Sequence, residues 1–492
     1  MGRFDDFLAA ISPRWACTRL QWRAAFDEMT RSYDAGKVGR GNTHWHATNR
    51  AAEQEDRYDR DRVRARARDL ERNSDILNAN LLAFRRNVIG RGFTLRPATG
   101  DGELDEALAE LWKQWCKARN CDVTGQQNLT EILRTLITRK KVDGGILLVK
   151  CYTEGGVVPF CVQMLEVDEL DSMAQVPKKS GNRIVGGIEY DRYNRPAYYH
   201  IRQYDLDGYQ TTNSIVLSAK DVIFYYTKRR PSQIREMSDL APVLGRVRDA
   251  NELITAASVR SRILACFGIA IKRVTNAVGG MGRNNRMTES RETYQGKTLS
   301  PGMILEMNPG DEAQAIDPHG GSDDAGSMLK TLHRQIGAGL GLSYEASSRD
   351  MSQTNYSSAR QGLIEDNETY AEEIDHITEI LDELYESFVI SAVLSGAVNI
   401  PDFWNKKSVY FAHQWARAPK AWIDPLKEAN ANKIAVQTGQ KTFQQIAAEN
   451  GTDWKTQIEE MADVVKYARE LGFEIGGVIY GNDIDPKTAE PQ

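Results

Sequence analysis

Residues 336–360 read IGAGLGLSYEASSRDMSQTNYSSAR, and this stretch stands between two helical patterns of very different length. Upstream, residues 323–340 carry helical spacing. The polar segment SYEASSRDMSQTN (343–355) interrupts it. Downstream, Ala359, Leu363, Tyr370, Ile374, Ile377, Leu381, Leu384, Phe388 and Ala392 recur at 3.6-residue spacing, which predicts one helix over about 356–395. Asn355 or Ser357 can cap its start and Gly396 its end. At 1.5 Å per residue it spans roughly 60 Å, several times the usual globular helix. An element of that length serves as a spine along which other elements, or other subunits, stack. Between Glu365 and Glu386 it carries ten acidic residues and no Lys or Arg. The expectation for any one of them is a solvated position, and together they would make a strong local field if copied around a ring.

Working outward toward the N-terminus, residues 239–266 are helical and the polar, glycine-rich run 279–293 is a loop. Met303–Met307 reads as a short strand stopped by Pro309-Gly310. The period shifts toward 2 over 145–152, 159–167, 183–191, 196–204 and 221–228, which predicts five strands. Tyr193-Asn194-Arg195 forms a hairpin turn between two of them, because Asn tolerates left-handed backbone geometry. Residues 103–119 and 129–142 are amphipathic helices. Residues 56–89 are helical too, with Asn73-Ser74-Asp75 as an internal restart or cap. Seven arginines between Arg57 and Arg72 alternate with Asp59, Asp61, Asp69 and Glu71. We read this as a solvated face laced with helix ion pairs rather than a DNA-binding stripe. Trp15, Trp22, Phe26 and Tyr33 fall on one helical face, suited either to the chain's own body or to an arm that embraces a neighbour. Toward the C-terminus, Lys420–Gln437, Thr442–Asn450 and a run from Thr452 to about Leu471 are helical, with Gly472 as a C-cap and a turn-rich tail beyond.

The bulk properties exclude several classes. The 492 residues carry 27% charged and 41% hydrophobic side chains, an ordinary globular balance, and length alone suggests two to four structural units. A net charge of -5 does not describe a basic nucleic-acid coat. The six cysteines make no CxxC pair and match no zinc spacing, so they read as reduced thiols filling the core. The first residues lack the pattern of a signal peptide, and no apolar run reaches membrane-spanning length, so the expectation is a soluble cytosolic chain.

Enzyme signatures are absent from the sequence. There is no phosphate-binding G-x-x-x-x-G-K-[ST] and no G-x-S-x-G elbow. His44-Trp45-His46 is poorly spaced for a tetrahedral metal site. Asp317, Asp323 and Asp324 form the densest carboxylate cluster in a loop context. Two-metal nucleases need carboxylates from several elements, whereas Asp at a helix start is favoured by the exposed amides, so capping is the expected role. No catalytic residue, metal or cofactor is expected. The rival reading, a metal-dependent nuclease acting on DNA, rests on that cluster alone; a non-viral helical scaffold is a third.

Five segments, taken in order, resemble the lambda-type family of phage portal proteins. RARARDLERNSDILNANLLAFRRNVIGRGF (64–93) matches its opening pattern, with Arg72-Asn73 and Gly90-Arg91-Gly92-Phe93 at corresponding places. GIEYDRYNRPAYYHI (187–201) resembles the wing hairpin, with Asn194 where the family often has Gly. DVIFYYTKRRPSQIREMSDLAPVL (221–244) resembles the strand and loop leading into the stem, Glu236-Met237 being a departure from the pattern. LSPGMILEMNPGDE (299–312) resembles the Pro-Gly, strand, Pro-Gly-acidic element. The most specific is 336–360, whose counterpart is an Ala-Gly-Leu-Gly-x-Ser-Tyr-Glu run followed by Asn-Tyr-Ser-Ser-x-Arg.

The resemblance implies an α+β portal fold: an N-terminal arm (1–55), a mixed α/β wing (56–237), stem helices (238–266 and 322–342), a small clip insert (267–321), a tunnel loop (343–355), the spine helix and the segment after it (356–419), and a helical crown with tail (420–492). It implies a homo-oligomeric ring, usually a dodecamer, at one capsid vertex of the virion, assembled in the host cytoplasm. Double-stranded DNA would pass through it without sequence preference. The implied partners are terminase, a head–tail adaptor and the major capsid protein, with no membrane. Arg349, Gln353 and Asn355 would touch the DNA backbone transiently, while spine or stem acids repel it. Arg283, Arg286 and Arg291 would bind a partner protein through a clip loop that orders on contact.

Overall fold

The computed structural model describes residues 49–205, 207–208, 210–266, 270–273, 311–314, 322–352, 354–417, 425–449, 452 and 454–472, with the isolated positions 14, 18 and 22. The chain divides into two units, residues 1–55 and 56–492. The second unit mixes helices with small antiparallel sheets.

Its helical opening has a built-in break. One helix runs Arg60–Asn73, Ser74 turns extended and caps the next by accepting from the Leu77 amide, and Asp75–Phe84 follows. A π-turn at Arg85–Ile89 leads to strand β1, Phe93–Pro97. Helices Gly102–Trp115 and Leu129–Asp143 come next. Asn128 and Glu131 close a reciprocal capping box on the second, and Gly144 ends it with a left-handed φ of 91°.

The strands β2 (Gly145–Cys151), β3 (Cys161–Leu165), β4 (Arg183–Val185), β5 (Ile188–Tyr190), β6 (Pro196–Tyr204), β7 (Gln210–Ser218) and β8 (Val222–Tyr226) form two sheets, ordered β3-β2-β8 and β4-β5-β6-β7. Two corrections arise here. RIVGGIEYD is two strands rather than one, because Gly186 and Gly187 both adopt positive φ and reverse the chain. Strand β7 has no counterpart among the expected strands, since its polar alternation (QTTNSIVLS) resembles a loop until paired with β6. The expected turn at Asn194 is present, with φ 59°. Short strands β9 (Ala270–Arg273) and β10 (Asp311–Gln314) pair with each other; Met303–Met307 lies outside the described residues.

Helix Leu244–Cys266 packs against helix Ser322–Gly339. The long helix runs Tyr356–Ser395, as its spacing requires. Asn355 caps it by accepting from the Ser358 amide at 2.8 Å, and Gly396 ends it at φ 74°. Strand β11 (His413–Arg417) then pairs with β1, joining residues far apart in the chain. Helices Pro425–Gln437, Phe443–Glu449 and Trp454–Glu470 close the described chain, with Gly472 at positive φ.

The main core gathers on the second half of the long helix. Leu384, Tyr385, Phe388 and Val389 are fully buried there against Trp112, Trp115 and Phe160. Trp115 stacks on Phe160 at 5.4 Å, and Trp112 meets Phe388 edge-on at 5.1 Å. Each such side chain contributes about 1.5–3 kcal/mol through burial, and the ring pairs add specificity of geometry. A second core joins Leu70, Leu77 and Leu81 to Leu240, Val243, Val247 and Ile336.

Candidate functional site

The segment 343–355 is held far more firmly than a plain loop. The chain leaves helix Ser322–Gly339 through Gly341 at φ +72°, whose carbonyl accepts from the Thr369 hydroxyl at 2.7 Å. Gly339 packs so tightly that an added Cβ would meet Val243 at 2.5 Å. These two contacts give the glycine run IGAGLG its physical reason. Ser343 then bonds the buried Asp366 of the long helix twice, through its amide (2.6 Å) and its hydroxyl (2.7 Å).

The same hydroxyl caps a short helix, Tyr344–Ser348, which the polar composition had not predicted. Here a serine cap and a buried carboxylate override weak helix propensity. Arg349 closes that helix in the left-handed region at φ 58°, a conformation that costs a non-glycine residue roughly 1 kcal/mol. Its side chain is exposed. Asp350 accepts from the Ser352 amide (3.0 Å) and the Tyr344 hydroxyl (3.2 Å). The Ser352 hydroxyl and amide, then the Tyr344 hydroxyl and nearby Lys330, hold its carboxyl below the usual range. Arg334 lies over the Tyr344 ring at 5.4 Å. Thr354 donates to Glu345 at 3.2 Å, and Asn355 begins the long helix. Arg349 and Asn355 thus flank one short, braced excursion that presents cationic and amide groups. Gln353, Arg283, Arg286 and Arg291 lie outside the described residues, as do Asp317, the His44–His46 pair and the side chains of Asp323 and Asp324. Asp323 and Asp324 do fall in the first turn of helix Ser322–Gly339, the position expected of capping acids. No group of three metal-binding side chains occurs among the described residues.

Beside Gly339 and Leu340 lies a buried ionic hub that the sequence reading missed. Lys140 and Lys141 both reach Glu373, each at 2.6 Å to one of its oxygens. Tyr225 donates to the same carboxylate at 3.0 Å, and Asp239 meets Lys141 at 3.1 Å and Arg229 at 2.9 Å. Burial alone would raise the Glu373 pKa, but Lys141 and Lys140 bring it down to about 2. Burial also lowers Lys140, aided by its neighbour Lys141, while Asp239 and Glu373 more than offset burial at Lys141 and raise it. A cavity of about 200 Å³ adjoins the hub, lined in part by Gly339, Leu340, Glu372 and His376. The hub therefore joins helix Leu129–Asp143, strand β8, the 227–239 segment and the long helix. A signal was present: Glu373 sits on the apolar stripe, three residues after Tyr370 and four before Ile377.

Two charge expectations need correction. The arginines after Arg57 are not simply a solvated face. Arg60 and Arg64 are buried, and Arg64 bonds Glu236 at 3.0 Å and Asp168 at 3.1 Å. Arg68 bonds Asp143 and Asp168, both at 2.6 Å. Glu236, one of the two departures from the family pattern, is fully buried between Arg64 and Arg235. The acids of the long helix are likewise not all available to a surface field. Asp366 and Glu373 are buried in the bonds above. Asp382 accepts from Trp415 at 2.7 Å and meets His413 at 2.9 Å, and Glu383 pairs with Lys150 at 2.6 Å.

Comparison with known proteins completes the picture. A family described as phage portal protein, lambda family, matches residues 38–373. A probable portal protein of Halomonas phage phiHAP-1 is 22% identical over 470 residues, covering 90% of this chain and 88% of that protein. Portal protein B of Escherichia phage lambda is 24% identical over 166 residues, 32% of this chain and 31% of its own length. Among solved structures, a chain from the neck of an empty gene transfer agent particle, computed with C6 symmetry, aligns at a TM-score of 0.46 and 12% identity, covering 78% of this chain and 93% of that one. A chain from the native particle's neck, computed with C12 symmetry, aligns at 0.34 and 14% identity over 73% and 92% of the two chains. The string 336–360 falls wholly within the family match, which spans well over half of the sequence, and on that ground the chain belongs to the lambda family of phage portal proteins.

Proposed function

We propose that copies of this chain close into a ring, a dodecamer in the usual family form, at one vertex of a viral capsid. Double-stranded DNA enters and leaves the head through its bore. Residues 56–237 are the wing, 238–266 and 322–342 the stem, 267–321 the clip, 356–419 the spine and following segment, and 420–492 the crown and tail. Segment 343–355 is the tunnel loop. Arg349, Gln353 and Asn355 contact phosphates briefly and without regard to sequence. Arg283, Arg286 and Arg291 of the clip dock terminase and then a head–tail adaptor, and the outer face of the ring meets the major capsid protein. The chain itself hydrolyses nothing; a separate motor supplies the force.

The observation that carries this reading is the family match over residues 38–373, with its most specific string braced between two helices. The bracing supports the DNA-contact role, because a loop that meets a moving duplex must keep its shape. The moderate exposed charge of the excursion supports sliding over gripping, since each neutralised phosphate tightens binding and makes it salt-dependent. Negative-stain imaging of the purified chain tests the assembly. We expect rings with an open centre that admits a B-form duplex, and duplex DNA left uncut when Mg²⁺ is added. Compact single particles, or a centre closed to DNA in every class, would overturn the reading. Arg349→Ala is expected to lower packaging yield or DNA retention in rings that still assemble; unchanged packaging removes that side chain from the mechanism.

A further inference from the structure

We propose that Cys151 and Cys161 are a redox pair, two free thiols that a small-molecule disulfide converts into a cross-strand disulfide tying β2 to β3. The inference stands apart from the channel function and rests on the register of one hairpin. Cys151 and Cys161 are direct Cα partners across the antiparallel pair. Opposed residues of such a pair point to one face with Cα atoms about 4.5–5.5 Å apart. A disulfide accepts Cα separations of about 4.4–6.8 Å, so small adjustments of the strands suffice. The Cys161 sulfur already leans toward the other strand, 3.7 Å from the Cys151 carbonyl oxygen and 3.2 Å from the Thr153 hydroxyl. The connecting loop contains Gly155 and Gly156, both at positive φ, and is exposed along much of its length.

The two sulfurs differ in access, which divides their roles. Cys151 is partly exposed and Cys161 is buried, so the first receives the oxidant and the second resolves it. The other described thiols are worse placed. Cys121 is fully buried, with its sulfur against the carbonyls of Cys116 (3.5 Å) and Gln127 (3.6 Å). In the reaction the Cys151 thiolate attacks one sulfur of the oxidant, whose S–S bond breaks and releases one small thiolate. The Cys161 thiolate then attacks the Cys151 sulfur, and the second small thiolate leaves. One disulfide is reduced, one is formed, and the two protons lost by the cysteines end on the two released thiols. Burial, the Cys161 sulfur and Asp221 push the Cys151 thiol up to about 11, so thiolate is scarce at neutral pH and exchange is slow there.

The test treats the full chain with oxidised glutathione in mildly alkaline buffer, quenches with acid, alkylates after unfolding, and maps unreduced peptides by mass spectrometry. We expect a Cys151–Cys161 linked peptide as the main product, with Cys116 and Cys121 alkylated as free thiols. Cys161→Ala should instead trap glutathione on Cys151, and Cys151→Ser should leave Cys161 free. Circular dichroism confirms that each variant folds; the unsubstituted chain decides the matter in any case. Recovery of Cys151 and Cys161 as free thiols from oxidised folded chain, or as links to other cysteines, overturns the proposal.

Discussion

The two halves of the long helix share one backbone and occupy different media. In the half beginning at Tyr356, Leu363 and Ile364 are 41% and 49% exposed. In the half ending at Ser395, Leu384, Tyr385, Phe388 and Val389 are buried completely. Glu373 stands at the boundary, already inside. The comparison shows that one periodic stripe can serve two purposes. One half anchors the body, and the other carries the braced excursion and leaves apolar side chains open to solvent. Single substitutions should separate these roles.

The largest effect is expected at the boundary. Glu373→Ala leaves Lys140 and Lys141 buried without their shared carboxylate and should cost about 3–5 kcal/mol in urea unfolding. A loss under about 1 kcal/mol would mean that water already enters the hub. The same carboxylate gives a signed pH dependence. Its folded pKa, about 2, lies below the ordinary value near 4.5, so its stabilisation is present above pH 4.5 and fades as pH falls toward 2. Glu373→Gln should flatten that part of the acid unfolding curve.

Next come the two halves themselves. Phe388→Ala should lose about 3–4 kcal/mol through lost burial and a residual cavity. Ile364→Ala should change stability by less than about 0.5 kcal/mol, as surface positions do. Equal losses in thermal melts would erase the distinction between the halves. Asn355→Ala removes the cap and should cost about 1 kcal/mol, read as increased amide exchange in the first turn of the long helix. An effect of opposite sign is expected at Arg349→Gly, which relieves the left-handed backbone while removing the charge. Stability should stay level or rise by no more than about 1 kcal/mol. A clear fall would show that the arginine side chain helps hold the excursion, contrary to its exposed position.

Much of this architecture can be read from local pattern. The long helix, its Asn355 and Gly396 caps, the break at Ser74 and the turn at Asn194 each depend on residues within a few positions of one another. The family string at 336–360 is equally local. Other features escape such a reading for identifiable reasons. Strand β1 (FTLRP) ends in a proline and gains its identity from β11, far along the chain. RIVGGIEYD alternates like one strand, and only the positive φ of two glycines splits it. The alternation of Arg and Asp in Arg60–Asn73 is what a solvated helix also shows; the buried partners Asp143 and Glu236 come from distant segments.

By itself, then, the sequence determined where the long helix begins and ends, which of its faces is apolar, and which family the chain resembles, because periodicity and capping act over a turn or two of backbone. Tertiary structure alone decided which charges are structural. An ionised side chain placed by the same local rules is either solvated or locked in a buried pair according to what a remote segment brings within about 3 Å, and desolvation makes that difference worth several kcal/mol. Glu373 and Arg64 belong to the second group; Arg349 stayed at the surface.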